Sequence, residues 1–257
     1  MSIGNIKILV DAGEKIMQIL GAKFIYVKDK ENLSEVLRPF KDLAIQLSFF
    51  KKQDFLHLDH NLIKNTCDLL NIDIASVHAP TVDVFDSEFF EILAKIRNTY
   101  NTDLISIHPQ KGKPDAAMAK LKEYAKAIEE LDVILAYENF PSSVKKRKWV
   151  CSSREMHLLF DLPFLKLTFD TSHLDRAEDC IEEFDAVSDK VAVIHLSDKN
   201  GRRQHQPLGQ GQLPYKQFIS HLDKLHFSGP IVLEYMPEYQ ARQIEDMQMV
   251  ERCRQMR

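Results

Sequence analysis

The chain has 257 residues, with 34 Lys and Arg against 38 Asp and Glu and a formal net charge of −4. Hydrophobic residues make up 44% and charged residues 28%, which is ordinary for a globular protein and argues against intrinsic disorder. The near-neutral balance gives no support to a protein whose whole surface binds nucleic acid, although a local basic groove remains compatible with it.

The N-terminus and the cysteines indicate a cellular location. The first residues lack the basic start, apolar stretch and small-residue cleavage site of a signal peptide. No run approaches the roughly 18 apolar residues that span a bilayer, so no membrane partner is expected. The cysteines are far apart and form no CxxC pair: Cys67, Cys151, Cys180 and Cys253. We therefore expect a cytoplasmic protein with reduced cysteines that have no catalytic function.

The first 50 residues contain three β-rich segments where two strands are expected. Residues 24–27 and 43–49 are predicted to be these strands, and residues 6–10 compete with them. A helix is predicted over about residues 58–70 before the next strand.

Six further β-rich segments each end in a residue that can bind a metal. Their final residues are His78, His108, Glu138, Asp170, His195 and Glu234, with successive spacings of 30, 30, 32, 25 and 39 residues. A strand, a helix and their two loops need about 30 residues. Apolar residues at helical spacing fill residues 115–131, 175–187 and 215–225. This alternation predicts a parallel sheet.

The two faces of these strands differ in side-chain size. On the face that carries the terminal residue, the side chains are small or medium in size: Ser76, Ser106, Ala136, Thr168, Val193 and Val232. The opposite face is mostly large and apolar: Val77, Ile107, Tyr137, Phe169, Ile194 and Leu233. We predict that the first set points into a closed barrel and that the second packs under helices. The sequence therefore predicts one (β/α)₈ TIM barrel domain over residues 1–257, with its metal site in residues 74–238. An open doubly wound sheet is the alternative.

Four strand ends form the main candidate site. They are Glu138, Asp170, His195 and Glu234, on consecutive predicted strands. Each alone has an ordinary explanation, as a loop cap or a hydrogen-bonded core histidine. Burying all four unpaired would be very unfavourable. Carboxylates with an imidazole suit Zn²⁺, Mn²⁺, Co²⁺ or Mg²⁺, so we predict a divalent metal bound by these four residues.

Other residues near these strand ends are candidates for secondary roles. Candidates for further metal or substrate ligands are His78, His108, His173 and His205. Alternatively, these histidines donate hydrogen bonds to the metal ligands. Candidates for binding an anionic substrate group are Lys199, Arg202 and Arg203. Gly209 and Gly211 are expected to let their loop turn tightly. The remaining histidines are expected at the surface: His57, His60, His157, His221 and His226.

Several of these segments together resemble one known superfamily. They are His-Ala-Pro at 78–80, Ile-His-Pro at 107–109, Glu-Asn at 138–139, Phe-Asp-Thr-Ser-His at 169–173, His-Leu-Ser-Asp-Lys at 195–199 and Gly-Gln-Gly at 209–211. Residues 74–238 thus resemble the xylose-isomerase-like TIM barrel superfamily. That group includes sugar and sugar-phosphate isomerases and epimerases, and also endonuclease IV.

The two branches of the superfamily imply different metal counts. In the isomerase and epimerase branch, the resemblance implies that Glu138, Asp170, His195 and Glu234 bind the metal and that the two glutamates are the acid/base pair. In the endonuclease IV branch, nine ligands hold three zinc ions. Eight match here: His78, His108, Glu138, Asp170, His173, His195, His205 and Glu234. The ninth, an aspartate two residues before the matching His205, is Arg203, which as a cation would repel zinc. Asp198 is the nearest carboxylate in sequence that could replace it.

We therefore expect a metal-dependent isomerase or epimerase that acts on a sugar or sugar phosphate, with at most two metals per chain. One glutamate would remove the proton beside a carbonyl, and the other or the same one would return it. The first alternative is an endonuclease IV-like zinc phosphodiesterase that acts on abasic DNA. The second is a barrel that binds metal or ligand without turnover. The sequence does not give the oligomeric state.

Overall fold

Ten strands and eight α-helices are found in the computed structural model within the residues that it describes, which are 17–109, 114–141 and 161–255. The strands are β1 (Ile19–Phe24), β2 (Ala44–Ser48), β3 (Asp73–His78), β4 (Leu104–Ile107), β5 (Ile134–Glu138), β6 (Leu165–Asp170), β7 (Val191–Leu196), β8 (Asp198–Asn200), β9 (Arg203–Gln206) and β10 (Ile231–Leu233). The helices are α1 (Leu33–Leu37), α2 (Lys52–His57), α3 (His60–Leu69), α4 (Phe89–Tyr100), α5 (Pro114–Glu130), α6 (Cys180–Asp185), α7 (Tyr215–Lys224) and α8 (Gln243–Gln255).

Eight of the strands close into a parallel barrel in the order β1-β10-β7-β6-β5-β4-β3-β2. The other two, β8 and β9, form an antiparallel hairpin after β7. This is the predicted (β/α)₈ TIM barrel rather than an open sheet. All the predicted metal-binding strand-end residues lie at or directly after the carboxyl ends of barrel strands, where functional residues of this fold lie.

The predicted orientation of the strand faces is confirmed. Ala136, Val193 and Val232 belong to a small apolar cluster inside the barrel. Their larger neighbours belong to the main core between barrel and helices: Val77, Ile107, Tyr137, Phe169, Ile194 and Leu233. The Phe169 ring, for example, lies 5.4 Å from the Phe184 ring on α6. Small inner residues are required because eight strands leave little room inside a barrel.

A polar layer lies inside the barrel. Gln46 Nε2 donates to Ser76 Oγ at 3.1 Å, and Thr168 Oγ1 donates to Ser106 Oγ at 2.9 Å. All four side chains are fully buried. Hydrogen bonding within the layer offsets much of the cost of burying these groups.

The first predicted strand is displaced in the sequence. The strand over residues 43–49 is confirmed as β2, whereas β1 ends at Phe24, where the other predicted strand begins. Residues 6–10 lie outside the described residues. The segment of β1 was missed because Gly21 and Ala22 are weak strand formers. Gly21 is needed there, since a Cβ at that position would lie 2.6 Å from Phe40 Cε1.

His60 is buried rather than at the surface, which corrects the expectation from sequence. Its Nε2 donates to the Phe55 carbonyl at 2.7 Å, so Nδ1 accepts from the Tyr100 hydroxyl at 2.6 Å. Burial lowers the pKa of His60 and keeps the ring neutral. One ring nitrogen thus fixes α3 to α2 and the other fixes α3 to α4, a structural role that helical periodicity does not reveal.

The predicted helix over residues 175–187 is shorter than expected, with a 3₁₀ turn at Ala177–Asp179 followed by α6.

Within the described part of the chain, no helix combines the length and apolar character needed to cross a membrane. Cys67 and Cys180 are buried, and burial raises the pKa of each thiol to about 12, which makes a reactive thiolate unfavourable.

Candidate metal centre

Four side chains meet at the carboxyl end of the barrel. Glu138 ends β5, Asp170 ends β6, His195 lies in β7 and Glu234 follows β10. One ligand atom from each lies within 4.8 Å of the others. His195 Nδ1 is 2.8 Å from Glu234 Oε2, 3.4 Å from Glu138 Oε1 and 4.0 Å from Asp170 Oδ2. These residues, the central group, have the convergence expected of a single ion site.

The central group is almost completely shielded from solvent. The side chains of Asp170 and His195 are 0% exposed, that of Glu138 is 2% and that of Glu234 is 8%. Among the described residues, Asp170 Oδ2, Glu234 Oε2 and His195 Nε2 make no hydrogen bond of good geometry, and the contact of Glu234 Oε2 with His195 Nδ1 is an ion pair. Three buried carboxylates, two of which have an oxygen without a hydrogen bond, are unfavourable unless a cation joins them. The donor set therefore fits a divalent metal.

Asp170 is held so that one oxygen faces the centre. Its Oδ1 accepts from the backbone N–H groups of Ser172 at 2.7 Å and His173 at 3.2 Å, which leaves Oδ2 for the group. The Asn139 side chain fixes the backbone of the same residue, accepting from Asp170 N at 2.7 Å and donating to Asp170 O at 3.0 Å. Asn139 was missed as a supporting residue, although its place directly after Glu138 was a usable signal.

Two histidines face the other oxygen of Glu138: His78, which ends β3, and His108, which directly follows β4. His78 Nε2 is 3.1 Å and His108 Nε2 is 3.3 Å from Glu138 Oε2. The opposite ring nitrogens are fixed: His78 Nδ1 donates to the Ala79 carbonyl at 2.9 Å, and His108 Nδ1 lies 3.0 Å from Thr81 Oγ1. This arrangement aims both Nε2 atoms at one point, as in histidines that bind a metal.

A third group contains Asp170, His173 and His205. His173 Nδ1 is 3.5 Å and His205 Nδ1 is 3.9 Å from Asp170 Oδ2. The only carboxylate in this third group is that of Asp170, which the third group shares with the central group. Arg203 lies two residues before His205 and is exposed.

The charged groups of the site shift one another's pKa values. Burial alone would raise the pKa of Glu138, but hydrogen bonds from His108, His173 and His195 hold it well below its ordinary value. Burial likewise opposes the charge of Glu234, yet the His195 imidazolium lowers the pKa of that carboxyl to about 2. Burial raises the pKa of Asp170, and the neighbouring carboxylates add to this effect. Without metal, the site is therefore held together by protons on its histidines.

Two histidines carry those protons. Burial lowers the pKa of His173, but the Asp170 and Glu138 carboxylates outweigh it and raise the pKa to about 9. Burial opposes the charge of His195 too, while Glu234 and Glu138 raise its pKa well above the ordinary value. A divalent ion would replace these protons.

The cations proposed as substrate ligands are placed differently from one another. Lys199 Nζ donates to the backbone carbonyls of Leu174 and Asp175, so it ties two loops together. Arg202 and Arg203 are exposed at the β8–β9 hairpin. Only the two arginines are therefore placed with their side chains open to solvent.

An aromatic ring that sequence patterns did not reveal lies beside the groups. The Phe140 ring stacks on His173 with 4.6 Å between ring centroids and lies edge-on to His108 at 5.3 Å. Phe140, His173 and Asn139 also line a cavity at the mouth of the barrel. The only sequence signal for Phe140 was its position two residues after a strand end.

Comparisons with known proteins agree with this fold. The family model described as xylose isomerase-like TIM barrel matches residues 59–253. The chain is 25% identical over 255 residues to the uncharacterized protein MJ1614 of Methanocaldococcus jannaschii, covering 88% of this chain and 93% of that protein.

Two solved structures have a fold similar to that of this chain. A D-tagatose 3-epimerase-like protein has a TM-score of 0.72 at 15% identity, covering 93% of this chain and 98% of that one. Endonuclease IV from Thermus thermophilus has a TM-score of 0.61 at 16% identity, covering 91% of this chain and 99% of that one. At these identities the likeness concerns the fold.

Proposed function

The chain belongs to the xylose isomerase-like TIM barrel family, and on that premise we propose that it is a divalent-metal-dependent sugar or sugar-phosphate isomerase or epimerase. The reaction is proton transfer at the carbon next to a carbonyl. The observation that carries the proposal is the pair of carboxylates Glu138 and Glu234, both within 3.4 Å of His195 Nδ1 in one buried group. The likeness to a D-tagatose 3-epimerase-like protein supports the same class of reaction.

The residues fit the metal on chemical grounds. Glu138, Asp170, His195 and Glu234 would hold the ion, and the orphaned oxygens of Asp170 and Glu234 are the donors that need it. When bound, a divalent ion polarises a substrate carbonyl and makes the neighbouring C–H more acidic. The carboxylate-rich donor set suits Mn²⁺, Mg²⁺, Co²⁺ and Zn²⁺.

The two glutamates are suited to moving a proton. The pKa of each carboxyl is held below its ordinary value, because the histidine contacts outweigh the effect of burial, so both are ionised and can act as bases. Glu234 is the more exposed of the pair, at 8% against 2% for Glu138. Glu234 is accordingly assigned as the residue that removes the proton. The proton is then returned by the same carboxyl, or by Glu138 once that carboxylate has itself taken up a proton. His173 is the candidate donor to the developing oxyanion.

The second candidate is an endonuclease IV-like zinc phosphodiesterase acting on abasic DNA. The observation that favours it is the pair of outer groups around Glu138 and Asp170, which a single-metal sugar enzyme leaves without a metal. The charge count opposes it. The three carboxylates of the site offset one and a half divalent ions, and Arg203 adds a positive charge where a fourth carboxylate would be needed. A barrel that binds metal without turnover is the remaining outcome.

One experiment separates these candidates. The purified protein is analysed for metal content and then assayed on a panel of keto sugars and their phosphates, and on a duplex with one abasic site. We expect one or two divalent ions per chain, interconversion of a keto sugar, and weak or no nicking. The variant Glu234→Gln should lose the activity, while His221→Asn, on the outer helix α7, should keep it. Three zinc ions per chain with efficient nicking would favour the nuclease, and bound metal with neither activity would favour the binding protein.

A further inference from the structure

The connection between β7 and α7, residues 197–214, folds around one buried carboxylate. Asp198 is 0% exposed. Its Oδ1 accepts from the backbone N–H groups of Lys199 at 2.8 Å and Leu213 at 2.9 Å. Its Oδ2 accepts from those of Gly209 at 2.9 Å and Gly211 at 2.8 Å. Four charge-assisted hydrogen bonds on one side chain join the beginning of the connection to its end.

The glycines of this connection are matched to that carboxylate. A Cβ on Gly211 would lie 2.2 Å from the Lys199 carbonyl oxygen and 2.3 Å from Asp198 Oδ1, so only glycine allows the approach. Gly209 has a φ of 83°, a conformation that other residues rarely adopt. The tight turn expected from the Gly-Gln-Gly segment therefore exists because its N–H groups converge on Asp198.

The same connection carries His205. Asp198 pairs with Gln206 in the β8–β9 hairpin, so the residue before Gln206 is set by that register. His205 has a φ of 54°, which is unfavourable for a residue with a side chain. Its carbonyl accepts from Met236 N at 3.0 Å, and its Nδ1 lies 3.4 Å from Ser172 Oγ. Contacts with the surrounding residues must stabilise this backbone conformation.

We propose that Asp198 is a positioning residue for His205. It locks the connection on both sides of the hairpin and thereby keeps the His205 imidazole against Asp170 and Ser172, whether that ring binds a metal or a substrate. Both Asp198 oxygens are fully used by backbone N–H groups, so this carboxylate is not a replacement ligand for the one that Arg203 displaces. We call Asp198 and its four backbone hydrogen bonds the clamp. The inference goes beyond the proposed function, because the clamp positions His205 in any reaction at this site.

The variant Asp198→Asn tests the proposal. It keeps the shape but turns an amide donor toward one of the two pairs of backbone N–H groups, either Gly209 and Gly211 or Lys199 and Leu213. We expect amide exchange in the pair that faces the new donor to become faster by about tenfold or more. We also expect the His205 imidazole resonances to move in ¹⁵N NMR of the metal-free protein, while those of His78 and His108 stay. Gly211→Ala should have the same effect, and Asn200→Ala, which removes one exposed bond to the Gln210 carbonyl in the same connection, should have none.

The readouts distinguish this clamp from other outcomes. Unchanged His205 resonances in Asp198→Asn overturn the proposal, even if the loop amides exchange faster. Loss of the tightest bound Zn²⁺ in a calorimetric titration also overturns it, because the clamp would then serve the whole site. If the unmodified protein binds no metal, the proposed function fails, while the exchange and NMR measurements still decide the role of Asp198.

Discussion

The metal-free protein should lose stability as the pH rises from 6 to 9.5. His173 has a pKa of about 9 in the folded chain against 6.5 for the free side chain, because the Asp170 and Glu138 carboxylates outweigh the effect of burial. A group whose pKa is raised by folding stabilises the protein fully below its unfolded pKa, and this is lost as the pH rises through the folded pKa. The loss therefore falls between about pH 6.5 and 9.

The size of the loss follows from that pKa. A change from 6.5 to about 9 corresponds to about 3 kcal/mol in the free energy of unfolding. The raised pKa of His195 acts in the same direction. Glu234, with a pKa of about 2, contributes stability that is present above pH 4.5 and does not change in this window. A loss of about 3 kcal/mol is a large part of the stability of a typical domain, which is about 5–15 kcal/mol.

Urea unfolding in EDTA at pH 6, 7.5 and 9.5 measures this loss. The variant His173→Asn should show a smaller dependence on pH, whereas His226→Asn, an exposed residue whose left-handed backbone suits asparagine, should match the unmodified protein. With saturating Mn²⁺ or Zn²⁺ the dependence should disappear or reverse, since metal ligands must be deprotonated. A free energy of unfolding that stays constant or rises with pH in EDTA would refute the assignment of protonated histidines to the metal-free site.

Four other predictions follow from the geometry. Metal removal should lower the melting temperature by about 10 °C, measured by scanning calorimetry with and without EDTA, and equal values would contradict a buried metal site. Glu138→Gln should weaken metal binding by about 100-fold or more in calorimetry, because the carboxylate is shared by two groups; unchanged affinity would remove it from the ligand set. Arg203→Ala should raise KM by about tenfold with kcat nearly unchanged if this arginine binds the anionic end of the substrate; a fall in kcat alone would contradict that role. Gly21→Ala should cost about 1–3 kcal/mol in urea unfolding through its clash with Phe40, and a neutral result would show that the ring can move.

The sequence was most informative where a strand end combined two signals. Glu138, Asp170 and His195 lie at the ends of buried strands at the spacing of a βα repeat, and the residue two positions before each of them is small or medium in size. Because parallel strands bring their carboxyl ends to one side, their convergence could be predicted without knowing any contact. His78 and His108 were found in the same way.

Other features depend on contacts that local patterns do not encode. Gly21 and Ala22 are poor strand formers, yet both lie in β1: Gly21 leaves room for the Phe40 ring, and Ala22 belongs to the small cluster inside the barrel. His60 is polar and lies at a helix start, so its burial depends on the Tyr100 hydroxyl and the Phe55 carbonyl. Asp198 was considered as a ligand because of its position in sequence, and only its four N–H contacts reveal a structural role.

The central claim is that a metal-bound carboxylate pair moves a proton next to a carbonyl. The most direct measurement is deuterium incorporation from D₂O into keto sugars and keto-sugar phosphates, followed by NMR with the metal-loaded protein. We predict deuterium at the carbon next to the carbonyl of at least one substrate, abolished by EDTA and by Glu234→Gln. Absence of deuterium in every keto sugar of the panel, from protein that carries stoichiometric metal, would contradict the claim.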